Sequence, residues 1–198
     1  MPLPVLPRAF YLRPPDVVAR ELLGKILVRR YEGIRLAGRI VEAEAYFGLN
    51  DPAAHAFAGK TPRNAVLFGP PGFAYVYFIY GMHFCLNISC EPEGQAGCVL
   101  LRALEPLEGM ETMAALRKLS SGVHPRLLAS GPGRLCQALG ITRESHNGID
   151  LTSTPAGLHL EDDGYIPERV EATPRIGIRR AADRPLRFLI ADNRCLSK

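Results

Sequence analysis

The stretch FAYVYFIYGMHFCLNIS, residues 73–89, contains six Phe or Tyr side chains and no Lys, Arg, Asp or Glu. Successive side chains of a strand point to opposite faces, so both faces of residues 73–80 are apolar or aromatic. Tyr80-Gly81 is typical of a turn. The stretch therefore predicts a β-hairpin that carries a large aromatic surface to its tip, and that surface requires an explanation.

Strand patterns occur on both sides of this hairpin. KILVRRY (25–31) and IRLAGRIVEAEAY (34–46), separated by Glu32-Gly33, predict two strands joined by a tight turn. Gly, Pro, Asn and Asp are frequent in residues 48–72, which predicts a loop region. Further strands are predicted at CVLLRAL (98–104) and, as short segments, around residues 157–161, 174–179 and 185–191.

Helix signals are fewer and lie mostly after the strands. VVARELL follows Pro15-Asp16 and ends before Gly24, which predicts a short helix with a proline at its start. Apolar spacing predicts a helix in PLEGMETMAALRKL (106–119), and SGPG (130–133) before RLCQALG is typical of a helix N-terminus. Strands that run consecutively before helices predict the α+β class with an antiparallel sheet.

Length and composition indicate one globular domain covering residues 1–198. The chain is 47% apolar and 22% charged, which excludes wholesale disorder. No apolar run is long enough to cross a bilayer, and the prolines of residues 1–16 are incompatible with a secretion signal, so an intracellular protein is expected. Five Cys without a CxxC pair predict buried, reduced thiols, with no structural metal and no cofactor.

The positive charge comes almost entirely from arginine. Only four of the 24 basic residues are Lys, at positions 25, 60, 118 and 198, and the net charge is +4. Arginine suits hydrogen bonding to phosphate, so this bias is compatible with a nucleic-acid partner, although a GC-rich genome produces the same bias. Residues 169–198 hold eight basic and three acidic residues, which predicts a basic face.

Several polar residues lie within apolar or aromatic segments. Glu42, Glu44 and Tyr46 share one face of a predicted strand, which places a carboxylate either in an aromatic pocket or on a solvated sheet face. Arg102 interrupts an apolar strand and therefore needs a partner, in a structural or a functional ion pair. His55 lies in the predicted loop region and, taken alone, indicates a surface histidine.

Seven sequence blocks together resemble one known family. They are VEAEAYFGLNDPAAH (41–55), GKTPRNAVLF (59–68), YVYFIYGMHFCLNIS (75–89), CVLLRALEPLEGMETM (98–113), SGPGRLCQALGI (130–141), PRIGI (174–178) and RPLRF (184–188). In this order they closely resemble the alkyladenine (3-methyladenine) DNA glycosylase family, from about residue 8 to residue 191. The resemblance implies a compact domain with a curved, open-barrel-like antiparallel sheet, surrounding helices and a protruding β-hairpin.

The resemblance also implies how the aromatic hairpin is used. Members of the family push the hairpin into the minor groove of duplex DNA, where a tyrosine matching Tyr80 replaces a flipped-out nucleotide, with Met82 beside it. The flipped base is expected between Tyr46 and Tyr77 on one side and His55 on the other. Flipping a base costs a few kcal/mol, and stacking on aromatic faces returns part of that cost.

Catalytic roles follow from the same resemblance. Glu44 matches the general base that deprotonates the water attacking C1′, Arg102 matches the arginine that helps to hold this water, and the backbone carbonyl of Ile176 matches a third contact. Asn87 matches a residue at the pocket floor that disfavours the 2-amino group of guanine. Its alternative role is that of a polar strand residue satisfied by the backbone.

The DNA-contacting residues and the nucleophile are expected as follows. Arg63, Arg117 and Arg134 align with, or lie next to, positions that contact the DNA backbone. A glycosylase that also cleaves the strand needs an amine nucleophile, and of the four lysines only Lys60 lies near a motif. Water is therefore the expected nucleophile. The expected enzyme is monofunctional and monomeric, acts on 3-methyladenine, 7-methylguanine, hypoxanthine or ethenoadenine in duplex DNA, and leaves an intact abasic site.

Two departures and three alternatives accompany this interpretation. His83 stands where better-known members have tyrosine, and Leu186 where some have an aromatic residue. A non-catalytic module that binds damaged DNA would keep Tyr80 but would not need Glu44 together with Arg102. A hydrolase of free nucleosides or an RNA-modifying enzyme would use the same pocket on a different substrate.

Overall fold

The computed structural model describes residues 3–79 and 81–197. Eight strands form one antiparallel sheet that curls into a half-barrel, and helices pack around it. The strand order is β3-β4-β5-β2-β1-β6, with β8 paired to both β2 and β7. The strands are β1 (Ile26–Tyr31), β2 (Ile34–Tyr46), β3 (Ala74–Ile79), β4 (His83–Cys90), β5 (Gly97–Glu108), β6 (Leu158–Glu161), β7 (Val170–Thr173) and β8 (Arg187–Ile190). This arrangement confirms the predicted α+β class.

Six short α-helices and two 3-10 turns complete the described chain. The helix α2 begins at Pro15, whose missing N–H needs no partner there, and it buries Val18, Ala19 and Leu22 toward the sheet. The helices are α1 (Arg8–Tyr11), α2 (Pro15–Leu22), α3 (Met110–Leu116), α4 (Arg126–Ala129), α5 (Pro132–Ala138) and α6 (Arg143–His146), and the 3-10 turns are Gly48–Asn50 and Ala65–Phe68. None of the helices within the described ranges is long and apolar enough to cross a membrane.

The long strands β2 and β5 form the centre of the sheet. Ala37 pairs with Glu108 at one end and Tyr46 with Cys98 at the other, and the register shifts on both sides of Glu42. A bulge of this kind bends a strand and redirects a side chain. Glu42 also pairs with Leu189 of β8, so the irregular point of β2 is where a third strand joins.

Two predicted elements differ in the structure. Residues 106–108 continue β5, and the helix predicted over 106–119 begins at Met110, because Gly109 adopts a left-handed conformation that ends the strand. Residues 174–179 are not a strand; β7 ends at Thr173, and the following loop turns toward β2 through Arg175. The hairpin strands are confirmed as β3 and β4, whereas Tyr80 lies outside the described residues.

Gly48 begins the loop region after β2, and its backbone conformation predicts an unequal response to alanine. Its φ is +54°, and an added Cβ would lie 2.1 Å from the carbonyl oxygen of Gln95. Gly59 has a φ of +94° but no atom within 4 Å of its added Cβ. Gly59→Ala should therefore cost the left-handed penalty of about 1–2 kcal/mol. Gly48→Ala should cost about 1–3 kcal/mol more, because the backbone has to move.

Urea unfolding of the two variants beside the wild type measures this difference. Equal losses of unfolding free energy would show that the chain around Gln95 yields without cost.

Candidate active site

A cavity of about 350 Å³ opens between the hairpin, the end of β2 and the loop after β7. The register of β3 and β4 places three pairs of side chains beside one another on its wall, since residue 75 is opposite 87, residue 77 opposite 85, and residue 79 opposite 83. Pockets that bind small molecules have this mixture of apolar walls and few polar groups. The strand residues that line the cavity are Tyr46, Tyr75, Tyr77, Ile79, His83, Cys85, Asn87, Cys98, Leu100 and Arg102.

Glu44 lies fully buried directly behind one wall of this cavity. Its Oε1 accepts a hydrogen bond from the backbone N–H of Ile176 at 2.8 Å and lies 3.1 Å from Nη1 of Arg102. Its Oε2 accepts from the hydroxyl of Tyr46 at 2.8 Å. These three partners line the cavity, and they hold the carboxylate in one orientation. The alternative of a solvated sheet face is therefore wrong.

Arg102 is shared between two buried carboxylates. Its Nε donates to Oε1 of Glu42 at 2.8 Å, while its Nη1 faces Glu44. Burial lowers the pKa of Arg102, but the charges of Glu44 and Glu42 outweigh burial and raise it. The guanidinium therefore stays charged. Glu42 and Glu44 are the partners that the sequence analysis required for this arginine.

Glu42 is held by residues that sequence reasoning missed. It accepts from Nε of Arg187 at 2.7 Å and from the backbone N–H of Ser197 at 2.6 Å. Burial alone would raise the pKa of Glu42, but the hydrogen bonds from Arg187 and Ser197 and the charge of Arg102 lower it overall. These donors lie 145 and 155 positions away in the chain, so no local pattern indicates them.

The three rings predicted to hold a flipped base, those of Tyr46, His55 and Tyr77, all line the cavity. His55 and Tyr77 touch edge to face with ring centroids 4.4 Å apart, and Nδ1 of His55 lies 3.0 Å from the hydroxyl of Tyr75. A base between two rings needs about 7 Å, twice the 3.4 Å base spacing of a nucleic-acid strand. No base therefore fits between His55 and Tyr77 as they stand; Tyr46 also lines the cavity, and which rings enclose a base stays a prediction.

His55 lies at the mouth of the cavity and is partly exposed. Burial of its ring lowers its pKa, and the nearby positive charge of Arg63 lowers it further. Both effects favour the neutral form of the ring. A neutral ring can lie against a cationic ligand without charge repulsion.

The ion pair of Asp51 and Arg175 fixes the back of the Tyr46 wall. Both side chains are fully buried, and Nη2 of Arg175 donates to Oδ1 of Asp51 at 3.0 Å. The guanidinium also donates to the carbonyl oxygen of Ala45 at 2.9 Å and lies 4.6 Å from the centre of the Tyr46 ring. Neither residue was predicted as functional, although they belong to the NDPAAH and PRIGI segments that carry the family resemblance.

Asn87 has the backbone contact that one of its two predicted roles requires, and discrimination against guanine stays a prediction. It lines the cavity, and its Nδ2 donates to the carbonyl oxygen of Tyr75 at 3.3 Å. Its Oδ1 has a long contact of 4.0 Å from Sγ of Cys98. The amide is thus held by the backbone and still borders the space that a ligand would occupy.

The predicted phosphate-binding arginines differ in their surroundings. Arg63 and Arg134 are exposed, and Arg63 lies beside the hairpin, 5.7 Å from the Tyr77 ring. Arg117 is half-buried and donates to the carbonyl oxygens of Leu127 and Leu128, so part of its guanidinium is used within the fold. The side chain of Met82 is 67% exposed near the hairpin tip. Their contacts to DNA stay predictions.

The described cavity wall contains no lysine, and Lys60 lies instead against the ring of Phe68. In residues 3–79 and 81–197, no cluster of three His, Cys, Asp or Glu is arranged to hold a metal ion. The five cysteines are free and buried, as the sequence predicts.

Comparison with known proteins gives one consistent result. Residues 9–194 match the family model described as methylpurine-DNA glycosylase. The chain is 61% identical over 186 residues to a protein of Koribacter versatilis, covering 94% of this chain and 89% of that protein. It is 52% identical over 195 residues to a protein of Rhodopseudomonas palustris, covering 98% and 89%. It is 50% identical over 199 residues to one of Methanocella arvoryzae, covering 99% and 97%. All three are named, provisionally, 3-methyladenine DNA glycosylases.

The buried Asp51–Arg175 pair predicts a pH-dependent contribution to stability. Burial raises the pKa of Asp51, but the hydrogen bond from Arg175 and the backbone donors outweigh it and lower the folded-state pKa. The contribution is therefore present above the unfolded pKa of about 3.9 and is lost as pH falls through the lower folded value. Asp51→Asn should lower the unfolding free energy by about 3–5 kcal/mol at pH 7, because it leaves the charge of Arg175 buried without an opposite charge.

Urea unfolding between pH 7 and pH 2 measures this effect. The difference in unfolding free energy between the wild type and Asp51→Asn should become smaller as pH falls. Asp192→Asn changes a side chain that is 88% exposed, so its difference from the wild type should be small at every pH. A gap for Asp51→Asn that does not change with pH would contradict the assignment.

Proposed function

Because the chain belongs to the methylpurine-DNA glycosylase family and is thus a DNA glycosylase, a hydrolase of DNA repair, we propose that it flips damaged purines from duplex DNA into the described cavity. There Glu44 activates the water that cleaves the N-glycosidic bond. The observation that carries this proposal is a buried carboxylate, oriented by three donors, directly behind the wall of an aromatic cavity.

Glu44 has the capacity to bind a water molecule as well. An ionised carboxylate has about four acceptor positions, and three of them are taken by Tyr46, Arg102 and the N–H of Ile176. The remaining position can accept a proton from water while Arg102 stabilises the carboxylate charge. The proposed third contact of this water is the backbone carbonyl of Ile176. The N–H of the same residue already fixes Glu44.

The damaged base would lie between the Tyr46 wall and the wall of His55 and Tyr77. Tyr46 would then stack on the base with its ring and bind the general base with its hydroxyl, so base position and water activation are coupled. A neutral His55 tolerates the positive charge of 3-methyladenine or 7-methylguanine. The amide of Asn87 would oppose the 2-amino group of normal guanine from the cavity wall.

The charge of the leaving base determines how much help it needs. 3-Methyladenine and 7-methylguanine are cationic in the nucleotide and leave as neutral bases, so attack by water and stabilisation of an oxocarbenium-like transition state suffice. Hypoxanthine and ethenoadenine require a proton on departure, which makes them the more demanding substrates. With no lysine in the described wall, water is the proposed nucleophile and an intact abasic site the product.

Duplex DNA would bind along the side of the molecule that carries the hairpin. The exposed Arg63 and Arg134 are suited to phosphate contacts that fix register without reading sequence. Tyr80 is the proposed intercalating residue on sequence grounds, with the exposed Met82 beside it. We propose that the protein acts as a monomer in the cytoplasm of a bacterium.

The alternatives explain fewer of these contacts. A non-catalytic damage-binding module has no use for a carboxylate oriented by Arg102 and by two further donors. A hydrolase of free nucleosides has no use for exposed apolar residues near a hairpin tip. An RNA-modifying enzyme would act on single-stranded RNA, and comparing duplex DNA with RNA separates that case.

Glu44→Gln tests the proposal because glutamine keeps the size of the side chain but cannot accept a proton from water. Single-turnover excision from duplexes carrying each of the four lesions should fall by about 10³-fold, within the range for loss of a general base. Binding to the same duplexes should persist. Base release, followed by chromatography, measures the first quantity, and fluorescence anisotropy measures the second.

Glu108→Gln is the matched control, because Glu108 is exposed at the end of β5. It should excise at the wild-type rate. Excision by Glu44→Gln at that same rate would exclude Glu44 as the general base, and lesion binding by wild type without any base release would favour the damage-binding module.

A further inference from the structure

Ser197 lies behind Arg102, on the side away from the cavity. Its hydroxyl accepts a hydrogen bond from Nη2 of Arg102 at 3.2 Å and donates one to Oε1 of Glu42 at 2.7 Å. Its backbone N–H donates to the other oxygen of Glu42 at 2.6 Å. The side chain is buried among these charged groups, so water cannot easily replace its contacts.

The three nitrogens of the Arg102 guanidinium have three different partners. Nε contacts Glu42, Nη2 contacts Ser197, and Nη1 faces Glu44. A guanidinium is planar and rigid, so fixing two of its nitrogens fixes the direction of the third. The nitrogen that faces the proposed general base is therefore aimed by contacts on the opposite side of the group.

The chain around Ser197 is itself anchored. The hydroxyl of Ser130 donates to the carbonyl oxygen of Cys195 at 2.7 Å, and the side chain of Cys195 is buried in the main apolar core. The hydroxyl of Ser130 contacts neither Glu42 nor Arg102, and the backbone bridge of Ser130 to Ala103 does not involve its side chain. The anchoring of this segment and the orientation of Arg102 are therefore separable by substitution.

We propose that Ser197 is a positioning residue for base excision: it fixes Glu42 and Arg102 and thereby aims Nη1 of Arg102 at Glu44. This inference rests on the proposed function, since it assigns a role in the same reaction. Ser197 does not line the cavity, so it acts through Arg102 and not through contact with the substrate.

Ser197→Ala removes the hydroxyl and leaves the backbone N–H in place. Single-turnover excision should fall by about tenfold, the factor that one hydrogen bond to a charged group is worth. Affinity for the lesion duplex should stay within about twofold, because Ser197 is remote from the cavity. Ser197→Thr keeps the hydroxyl and should restore the rate.

The matched control is Ser130→Ala, which loosens the same segment of chain without touching Arg102. It should excise at the wild-type rate, even where thermal unfolding shows a loss of stability like that of Ser197→Ala. Equal losses of rate in the two alanine variants would show that Ser197 only stabilises the fold and would overturn the inference.

A double-mutant cycle with Arg102→Lys separates action through Arg102 from an independent effect. Once the fork of the guanidinium is gone, Ser197→Ala should slow excision less than twofold further, whereas a second tenfold loss would overturn the inference.

If Arg102→Lys does not fold, Ser197→Thr provides the test. A threonine variant that excises as slowly as the alanine variant would also overturn the inference. If the wild type excises no base, the proposed function is wrong. If the wild type is active and Ser197→Ala excises at the same rate, only this inference is wrong.

Discussion

The sharing of one guanidinium by two buried carboxylates is the interaction on which the site depends. Glu42 and Glu44 are both fully buried in the same strand, and a buried carboxylate is costly unless it is paired and hydrogen-bonded. Arg102 from the neighbouring strand β5 contacts both, and Arg187 and Ser197 supply the further donors that Glu42 requires. Strands β2, β5 and β8 and the segment containing Ser197 must therefore meet at one point for these charges to be buried.

This constraint links the fold to the cavity. The bulge in β2 lies at Glu42, where β8 joins the sheet and brings Arg187 to the carboxylate. Four positions later, Tyr46 ends the strand, with its hydroxyl on Glu44 and its ring against Arg175. Glu42 and Glu44 of the electrostatic network and Tyr46 of the cavity wall are thus parts of the same strand, so the proposed general base and a ring proposed to contact the damaged base are held by one element.

The sequence predicted those features that depend on local patterns or on long matching blocks. The aromatic run at 73–89 predicted β3 and β4, and an arginine within an apolar strand predicted a buried ion pair for Arg102. The helix over 106–119 was placed too early, because the apolar spacing of Met110 and Met113 does not show that the preceding residues pair with β2. The edge-to-face contact of His55 with Tyr77 was not predicted, because it depends on how the loop containing His55 folds over β3.

Contacts between distant segments were beyond the reach of the sequence patterns. Asp51 and Arg175 lie 124 positions apart, Asp51 in a predicted loop region and Arg175 in a segment predicted as a short strand, so no local pattern connects them. Ser197 gives no signal at all, since a serine near charged residues is ordinarily exposed. The roles of these residues can be recognised only once the structure shows that their partners are buried carboxylates, which need hydrogen-bond donors.

A crystal structure of the protein with a duplex that carries a lesion nucleotide whose glycosidic bond resists hydrolysis tests the proposed mechanism most directly. The damaged base should lie between Tyr46 and the wall of His55 and Tyr77, with a water molecule between Glu44 and C1′. A base that remains stacked in the duplex, or that binds elsewhere with Glu44 remote from C1′, would contradict it.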